Sequence, residues 1–102
     1  MISIDTIFPA FTQLYNMFSW SIFENISDTS LLNTALSWSK KSIEQDEKPM
    51  YIDTYANLLY KLGQKEEAIK QEEKAISLLK DEDKKSYKET LEKMKKGERT
   101  WK

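Results

Sequence analysis

Residues 55–76 read YANLLYKLGQKEEAIKQEEKAI and hold one of only two glycines in the 102-residue chain. Bulky apolar residues recur at helical spacing before Gly63, and a thinner alanine and isoleucine stripe follows it. Glycine just past a helix end adopts a left-handed conformation without a steric penalty. The stretch therefore predicts two helices joined by a tight corner at Gly63, with alanines where the helices approach closely.

The pattern of the second helix of this pair occurs once more, 33 residues earlier in the chain. LNTALSWSKKSI at 32–43 and KEEAIKQEEKAI at 65–76 place small and apolar residues in the same order. Ala35 aligns with Ala68, and Ser42 aligns with Ala75. A repeat of this length indicates a helical-repeat protein. We therefore expect two helix pairs followed by one amphipathic helix.

Helix boundaries are predicted from proline, glycine and capping residues. Pro9 suits a helix start, the residue before Pro49 is pushed out of the helical region, and Gly97 ends the last helix. Asp28, Thr29 or Ser30 is expected to cap the second helix. The predicted helices cover about 9–24, 31–45, 51–62, 65–79 and 83–96.

Composition excludes several classes of protein. Apolar residues make up 39% and charged residues 32%, and the net charge is −1, so no strong field attracts nucleic acid or anionic lipid. The chain has no cysteine and no histidine, which leaves no thiolate, imidazole base or usual zinc site. The N-terminus is a poor signal peptide, and no stretch is apolar and long enough to span a membrane. We expect a soluble protein without cofactor or metal.

Acidic clusters are interpreted as structural. Glu66, Glu67, Glu72 and Glu73 alternate with lysines and are expected on solvent-exposed faces, so no catalytic carboxylate is predicted. Asp81-Glu82-Asp83 lacks the spacing of a calcium loop. These three acids are expected to form a turn and an N-terminal cap for the fifth helix.

The second helix pair resembles the tetratricopeptide repeat. The residues that carry the resemblance are Tyr55-Ala56, Leu59, Gly63, Ala68-Ile69 and Ala75-Ile76. The match is good for 49–80 and degenerate for 16–46, where Ser30 stands at the glycine position. Lys65 and Glu72 occupy positions that are usually aromatic, which thins the packing. The resemblance implies one all-α domain over 1–102, an α-α superhelix with a degenerate first pair (9–46), a second pair (49–80) and a capping helix (83–97).

A second resemblance concerns the segment from SWSKKSIEQ to residue 76. It is similar to the helical-repeat segments at the C-terminal end of some bacterial thioredoxin-like proteins. This chain has no CxxC motif and cannot perform their redox chemistry. The resemblance implies an accessory domain of a larger protein.

Tetratricopeptide arrays bind an extended peptide or a partner helix in a concave groove. The resemblance therefore implies a non-catalytic protein-interaction module, and a carboxylate clamp is rejected because Trp20, Glu24 and Thr54 replace its Lys and Asn residues. Packing is the alternative role for Trp20, and a solvated surface role is the alternative for the polar residues. The implied groove residues are Met17, Trp20, Glu24, Asp53, Asn57, Tyr60, Lys84, Tyr87, Lys88 and Leu91.

The N-terminal stretch supports a different reading. Its helix is apolar on most sides, so it either folds back as two short pieces or is covered by another chain. Phe8, Phe11, Tyr15 and Phe18 form a patch too apolar to be left in water. These residues are the candidate interface of a homodimer, the alternative function. An enzyme with an unrecognised carboxylate site is a third hypothesis.

Overall fold

Five α-helices follow one another along residues 12–101, which are the residues that the computed structural model describes. No strand occurs in this part of the chain, so the predicted all-α class is confirmed. The helices are α1 (Thr12–Asn25), α2 (Thr29–Gln45), α3 (Pro49–Lys61), α4 (Lys65–Ser77) and α5 (Lys85–Lys96), with a 3₁₀ turn at Asp81–Asp83.

Most helix ends follow from the local signals. The predicted start at Pro9 lies outside the described residues. α2 begins where Asp28 accepts a hydrogen bond from the Leu31 N–H at 3.0 Å, so Asp28 is its cap. Pro49 begins α3, because a proline at the first helical position loses no hydrogen bond there. α4 ends at Ser77, short of the predicted residue 79.

The acidic cluster between α4 and α5 does not cap α5 as expected. Asp81–Asp83 form the 3₁₀ turn, in which the Asp83 N–H donates to the Lys80 carbonyl at 2.9 Å. Lys84 is the residue that precedes α5, and its side chain makes no capping bond. The 3₁₀ turn places the acids one step before the helix, where their side chains miss its free N–H groups.

Both glycines end a helix as predicted. Gly63 has φ +89° and Gly97 has φ +75°, in the left-handed region. After α3, the Gln64 N–H donates to the Leu59 carbonyl at 2.9 Å. After α5, the Glu98 N–H donates to the Lys93 carbonyl at 2.8 Å. These bonds satisfy carbonyls that the helix ends would leave without partners.

The helices pack in chain order, and small residues line the contacts. Each helix contacts the next one, and α1 also contacts α3. The repeat-related residues Ala35, Ala68, Ser42 and Ala75 are all fully buried. A small side chain lets two helix backbones approach closely. The pattern found in the sequence is therefore the pattern of close helix contacts.

The core has two parts that share α3. One contains Phe23, Leu32, Ala35 and Leu58, and the other contains Ala56, Leu59, Ala68 and Met94. The first joins the helices of the N-terminal half to α3, and the second joins α3 to α4 and α5. Because α3 supplies residues to both parts, it is the central helix of the packing.

The apolar N-terminal segment forms one continuous helix over its described part, not two short pieces. Phe23 is fully buried, whereas Leu14, Met17 and Phe18 are 42%, 59% and 52% exposed. Large apolar side chains in water are costly when they are contiguous. We call these three residues the α1 patch.

The corner at Gly63 generates a stability prediction. A side chain at Gly63 meets no atom within 4 Å, so its cost comes from the positive φ alone. We expect Gly63→Val to lower the free energy of unfolding by about 1 kcal/mol or more. Gly63→Asn is the control, because asparagine tolerates this conformation better. Urea unfolding followed by circular dichroism measures both. Equal stability of the valine variant and the original chain would contradict the prediction.

Candidate binding face and its buried acid pair

One side of α3 carries three of the groove candidates. It consists of Met50, Asp53, Asn57 and Tyr60, which recur every three or four residues. Met50 is exposed, Asp53 and Tyr60 are half-buried, and Asn57 is buried. We call these four residues the α3 stripe. Three of them are groove candidates from the sequence.

A buried glutamate of α4 lies beside this stripe. Glu72 is 0% exposed, and neither carboxylate oxygen accepts a hydrogen bond from a donor in the described part of the chain. The expectation that Glu72 lies on a solvent-exposed face is therefore wrong. Glu66, Glu67 and Glu73 are exposed as expected.

Helical spacing explains the burial of Glu72. It stands four residues after Ala68 and three before Ala75, so all three occupy the same side of α4, which faces the core. The 33-residue repeat also aligns Glu72 with Ser39, which is fully buried in α2. The sequence therefore contained a signal for burial, and the neighbouring lysines obscured it.

Glu72 and Asp53 form an acid pair in which each residue influences the pKa of the other. Burial, a hydrogen bond to Asp53 and the charge of Asp53 raise the pKa of Glu72 to about 10. Burial also raises the pKa of Asp53, while hydrogen bonds from Glu72 and Asn57 oppose that rise. The raised pKa keeps Glu72 protonated at neutral pH, beside the carboxylate of Asp53.

Asn57 and Tyr87 complete the surroundings of the pair. The Asn57 side-chain N–H₂ donates to the Asp53 backbone carbonyl at 2.8 Å and to Asp53 Oδ1 at 3.1 Å. Tyr87 of α5 is half-buried, and its pKa is raised to about 12 by burial and by the charges of Asp53, Glu72 and Asp83. Three helices thus place polar groups at one point.

The groove candidates of α1 lie near the end of that helix. Trp20 is half-buried and packs on Phe23, with ring centroids 4.9 Å apart, and it contacts the first core cluster. Glu24 is half-buried as well, and Met17 belongs to the exposed α1 patch. These contacts support the packing role of Trp20 that the sequence analysis gave as the alternative to a groove role.

Tyr60 contacts the chain's own C-terminal segment. Its hydroxyl donates to the Glu98 carbonyl at 2.7 Å, and its ring lies 6.2 Å from that of Trp101. Trp101 also meets Phe23 edge-on at 6.1 Å, and the Lys61 ammonium lies 5.2 Å from its ring. Residues 98–101 thus lie across the ends of α3 and α1, a placement that no signal in the sequence predicted.

The remaining α5 candidates differ in exposure. Lys84 is half-buried and pairs with Asp81 at 3.2 Å across the 3₁₀ turn, and Lys88 is exposed. Leu91 is buried in the helix interface. Tyr87 is half-buried, and the charges of Asp53 and Glu72 help to raise its pKa.

The four candidate dimer residues differ in their surroundings. Phe8 and Phe11 lie outside the described residues. Tyr15 is half-buried and packs edge-on against Trp38, with centroids 5.6 Å apart. Phe18 is exposed. Tyr15 therefore serves the contact between α1 and α2, and Phe18 is the member of the set that is available at the surface.

Within residues 12–101, no group of three or more acidic residues could hold a metal ion, and no helix there is long and apolar enough to cross a membrane. Comparison with protein-family models, curated proteins and solved structures finds no match to this chain. The assignment of a function therefore depends on the geometry.

The acid pair generates a pH prediction. Unfolded Glu72 loses its proton near pH 4.5, whereas folded Glu72 keeps it to about pH 10. The folded state therefore binds more protons between these values, and this group's contribution makes stability fall as pH rises. We expect Glu72→Gln to stabilise the protein by roughly 1–3 kcal/mol at pH 8. A neutral amide at this position can donate a hydrogen bond and does not have to take up a proton when the chain folds.

Thermal unfolding at pH 5.5 and pH 8.5 measures this effect. In Glu72→Gln, stability should decrease less between pH 5.5 and pH 8.5 than in the original chain. Glu73→Gln, at the adjacent exposed position, is the matched control and should show the same decrease as the original chain. An identical pH dependence in both variants would contradict the raised pKa of Glu72.

Proposed function

We propose that this domain is a non-catalytic protein-interaction module that binds a peptide or a segment of a partner protein. The binding surface is the α3 stripe together with the adjoining side chains of α1 and α5. In this proposal the helix pairs form a tetratricopeptide-like superhelix, and the odd-numbered helices supply its concave side. The arrangement of α1, α3 and α5 carries the proposal.

The packing of the odd-numbered helices supports this surface. α1 contacts α3 directly, and Met94 of α5 joins the core cluster of Ala56 and Leu59 of α3. Helices that are two apart in sequence are thus neighbours, as expected when helix pairs stack in a repeat array. The stripe between them combines half-buried aromatic and polar groups, a composition suited to peptide contacts.

A catalytic role for the acid pair is the competing proposal. The raised pKa of Glu72 meets one condition for acid–base chemistry. A general acid must also come within hydrogen-bond reach of its substrate. Glu72 is completely buried, so a substrate cannot approach its oxygens. The geometry thus favours binding over catalysis.

A charge-reversal variant tests the binding surface. Peptides selected from a phage-displayed random library are titrated against the chain labelled with ¹⁵N. We expect amide shifts at α1, α3 and α5. Asp53→Lys should weaken binding by roughly tenfold or more, because it reverses a charge within the surface.

The control carries the same change of charge elsewhere. Glu66→Lys alters an exposed residue of α4 and should leave both affinity and unfolding unchanged. Asp53→Lys should likewise remain folded. Shifts confined to α2 and α4, or equal affinity of both variants, would refute the proposed surface.

Self-association through the α1 patch is the second candidate function. Leu14, Met17 and Phe18 recur at three- and four-residue spacing on one side of α1, and all are exposed. A contiguous apolar stripe of this kind is typical of a helix that packs against a partner. A second copy of the chain is the partner that this candidate requires.

Light scattering over a dilution series tests the candidate. A dimer that Phe18→Glu converts to monomer is the expected result, because the substitution buries a charge in the apolar interface. Ser37→Glu adds the same charge at an exposed position of α2, away from the α1 patch, and should leave the mass unchanged. A monomeric original chain would remove this candidate.

A further inference from the structure

The segment after α5 contacts the binding face in the way that a bound peptide would. Residues 98–101 follow the left-handed Gly97 and belong to no helix. The Glu98 carbonyl accepts a hydrogen bond from the Tyr60 hydroxyl at 2.7 Å. Hydrogen bonds to the main chain and sites for side chains are the two means by which proteins bind peptides. Tyr60 is a member of the α3 stripe, so the proposed surface already holds one main-chain group.

Trp101 of this segment lies in a site built from aromatic and cationic groups. Its ring meets that of Phe23 edge-on, with centroids 6.1 Å apart, and lies 6.2 Å from the ring of Tyr60. The Lys61 ammonium lies 5.2 Å from the Trp101 ring centroid and also donates to the Phe23 carbonyl at 2.6 Å. Edge-on ring contacts and cation–π contacts favour an aromatic side chain over an aliphatic one.

Two features of the segment weaken its hold on this site. The Thr100 hydroxyl is buried and has no hydrogen-bond partner in the described part of the chain, and a buried polar group without a partner lowers stability. The Arg99 guanidinium lies 5.3 Å from the Trp101 ring, so two cations approach the same ring. Burial and the charge of Arg99 lower the pKa of Lys61. Release of the segment would hydrate the hydroxyl and separate the two charges.

A cavity beside Trp101 provides room for a second side chain. Its volume is about 280 Å³. Sites for whole small molecules usually measure about 300–1,000 Å³, so this one suits a single side chain. An incoming side chain therefore has space next to Trp101 before Trp101 leaves. The lining residues are Ser27, Thr29, Leu32, Lys61, Leu62 and Trp101 itself.

We propose that the place of Trp101 is a subsite for an aromatic side chain of the bound segment, and that residues 98–101 keep it closed until that segment displaces them. This inference rests on the proposed function, because Tyr60 belongs to both the α3 stripe and the subsite. The chain's own segment acts as an internal competitor of the partner. The affinity for a partner is reduced in proportion to the fraction of molecules in which the subsite is open.

The test uses Trp101→Ala in the full chain, with N-acetyl-tryptophan amide as the probe. Circular dichroism first verifies that the variant keeps its helices. The probe is then titrated into the ¹⁵N-labelled variant, and we expect saturable amide shifts at residues 23, 60, 61 and 62. Binding to the original chain should be at least roughly tenfold weaker, because Trp101 occupies the subsite. N-acetyl-cyclohexylalanine amide has no π face and should bind the variant at least roughly fivefold more weakly than the tryptophan probe.

Trp38→Ala is the matched control. It vacates another half-buried tryptophan position, which packs against Tyr15. The shifts at residues 23, 60 and 61 should then remain as weak as in the original chain. Absence of saturable binding to Trp101→Ala, or equal binding to this variant and to the original chain, would overturn the subsite.

Tyr60→Phe provides a second variant should Trp101→Ala fail to fold. It keeps the ring and removes the hydrogen bond to the Glu98 carbonyl, so the segment is released more readily. The probe should bind Tyr60→Phe roughly two- to tenfold more tightly than it binds the original chain. Equal affinity for these two chains would contradict the closure of the subsite by residues 98–101.

The outcomes separate the subsite from the proposed function. Peptides that bind the α3 stripe with equal affinity in the original chain and in Trp101→Ala would refute the subsite alone. Saturable binding of the tryptophan probe to Trp101→Ala without any peptide binding at the stripe would support the subsite and refute the peptide-binding surface.

Discussion

The close approach of α3 and α4 is the constraint on which the rest of the molecule depends. Ala68 and Ala75 have no side chain beyond Cβ and are fully buried, so α4 packs closely against α3. The turn at Gly63 allows this approach, because its left-handed conformation reverses the chain within a few residues. α3 then supplies residues to both core clusters and holds the N-terminal helices and α5 in place.

The same constraint accounts for the acid pair. A residue between Ala68 and Ala75 on the inner side of α4 is buried whatever its chemistry, and here it is Glu72. An apolar side chain there would fill the interface at no electrostatic cost. A residue that lowers stability without serving the fold is expected at functional sites. This reasoning connects the least favourable core residue with the proposed binding surface.

The C-terminal segment closes one end of that surface. Lys61 donates to the Phe23 carbonyl at 2.6 Å and lies over the Trp101 ring, so one ammonium group joins the end of α1, the end of α3 and the segment after α5. Tyr60 is held there by its bond to the Glu98 carbonyl. The α3 stripe is consequently covered by the C-terminal segment at its Tyr60 end, whereas Met50 at its other end is exposed.

The sequence by itself determined the helices, their corners and the small residues of their contacts, because these depend on local backbone preferences and on helical spacing. Gly63, Gly97, Pro49 and Asp28 act on their own neighbourhoods, so each could be recognised without the fold. Only the tertiary structure decided which charged residue is buried and where residues 98–101 lie. Glu72 is surrounded by charged residues in sequence, but its burial results from α3 and α5, and Trp101 reaches Phe23 through contacts between residues far apart in the chain. Such contacts depend on the packing of all the helices, which no local pattern specifies.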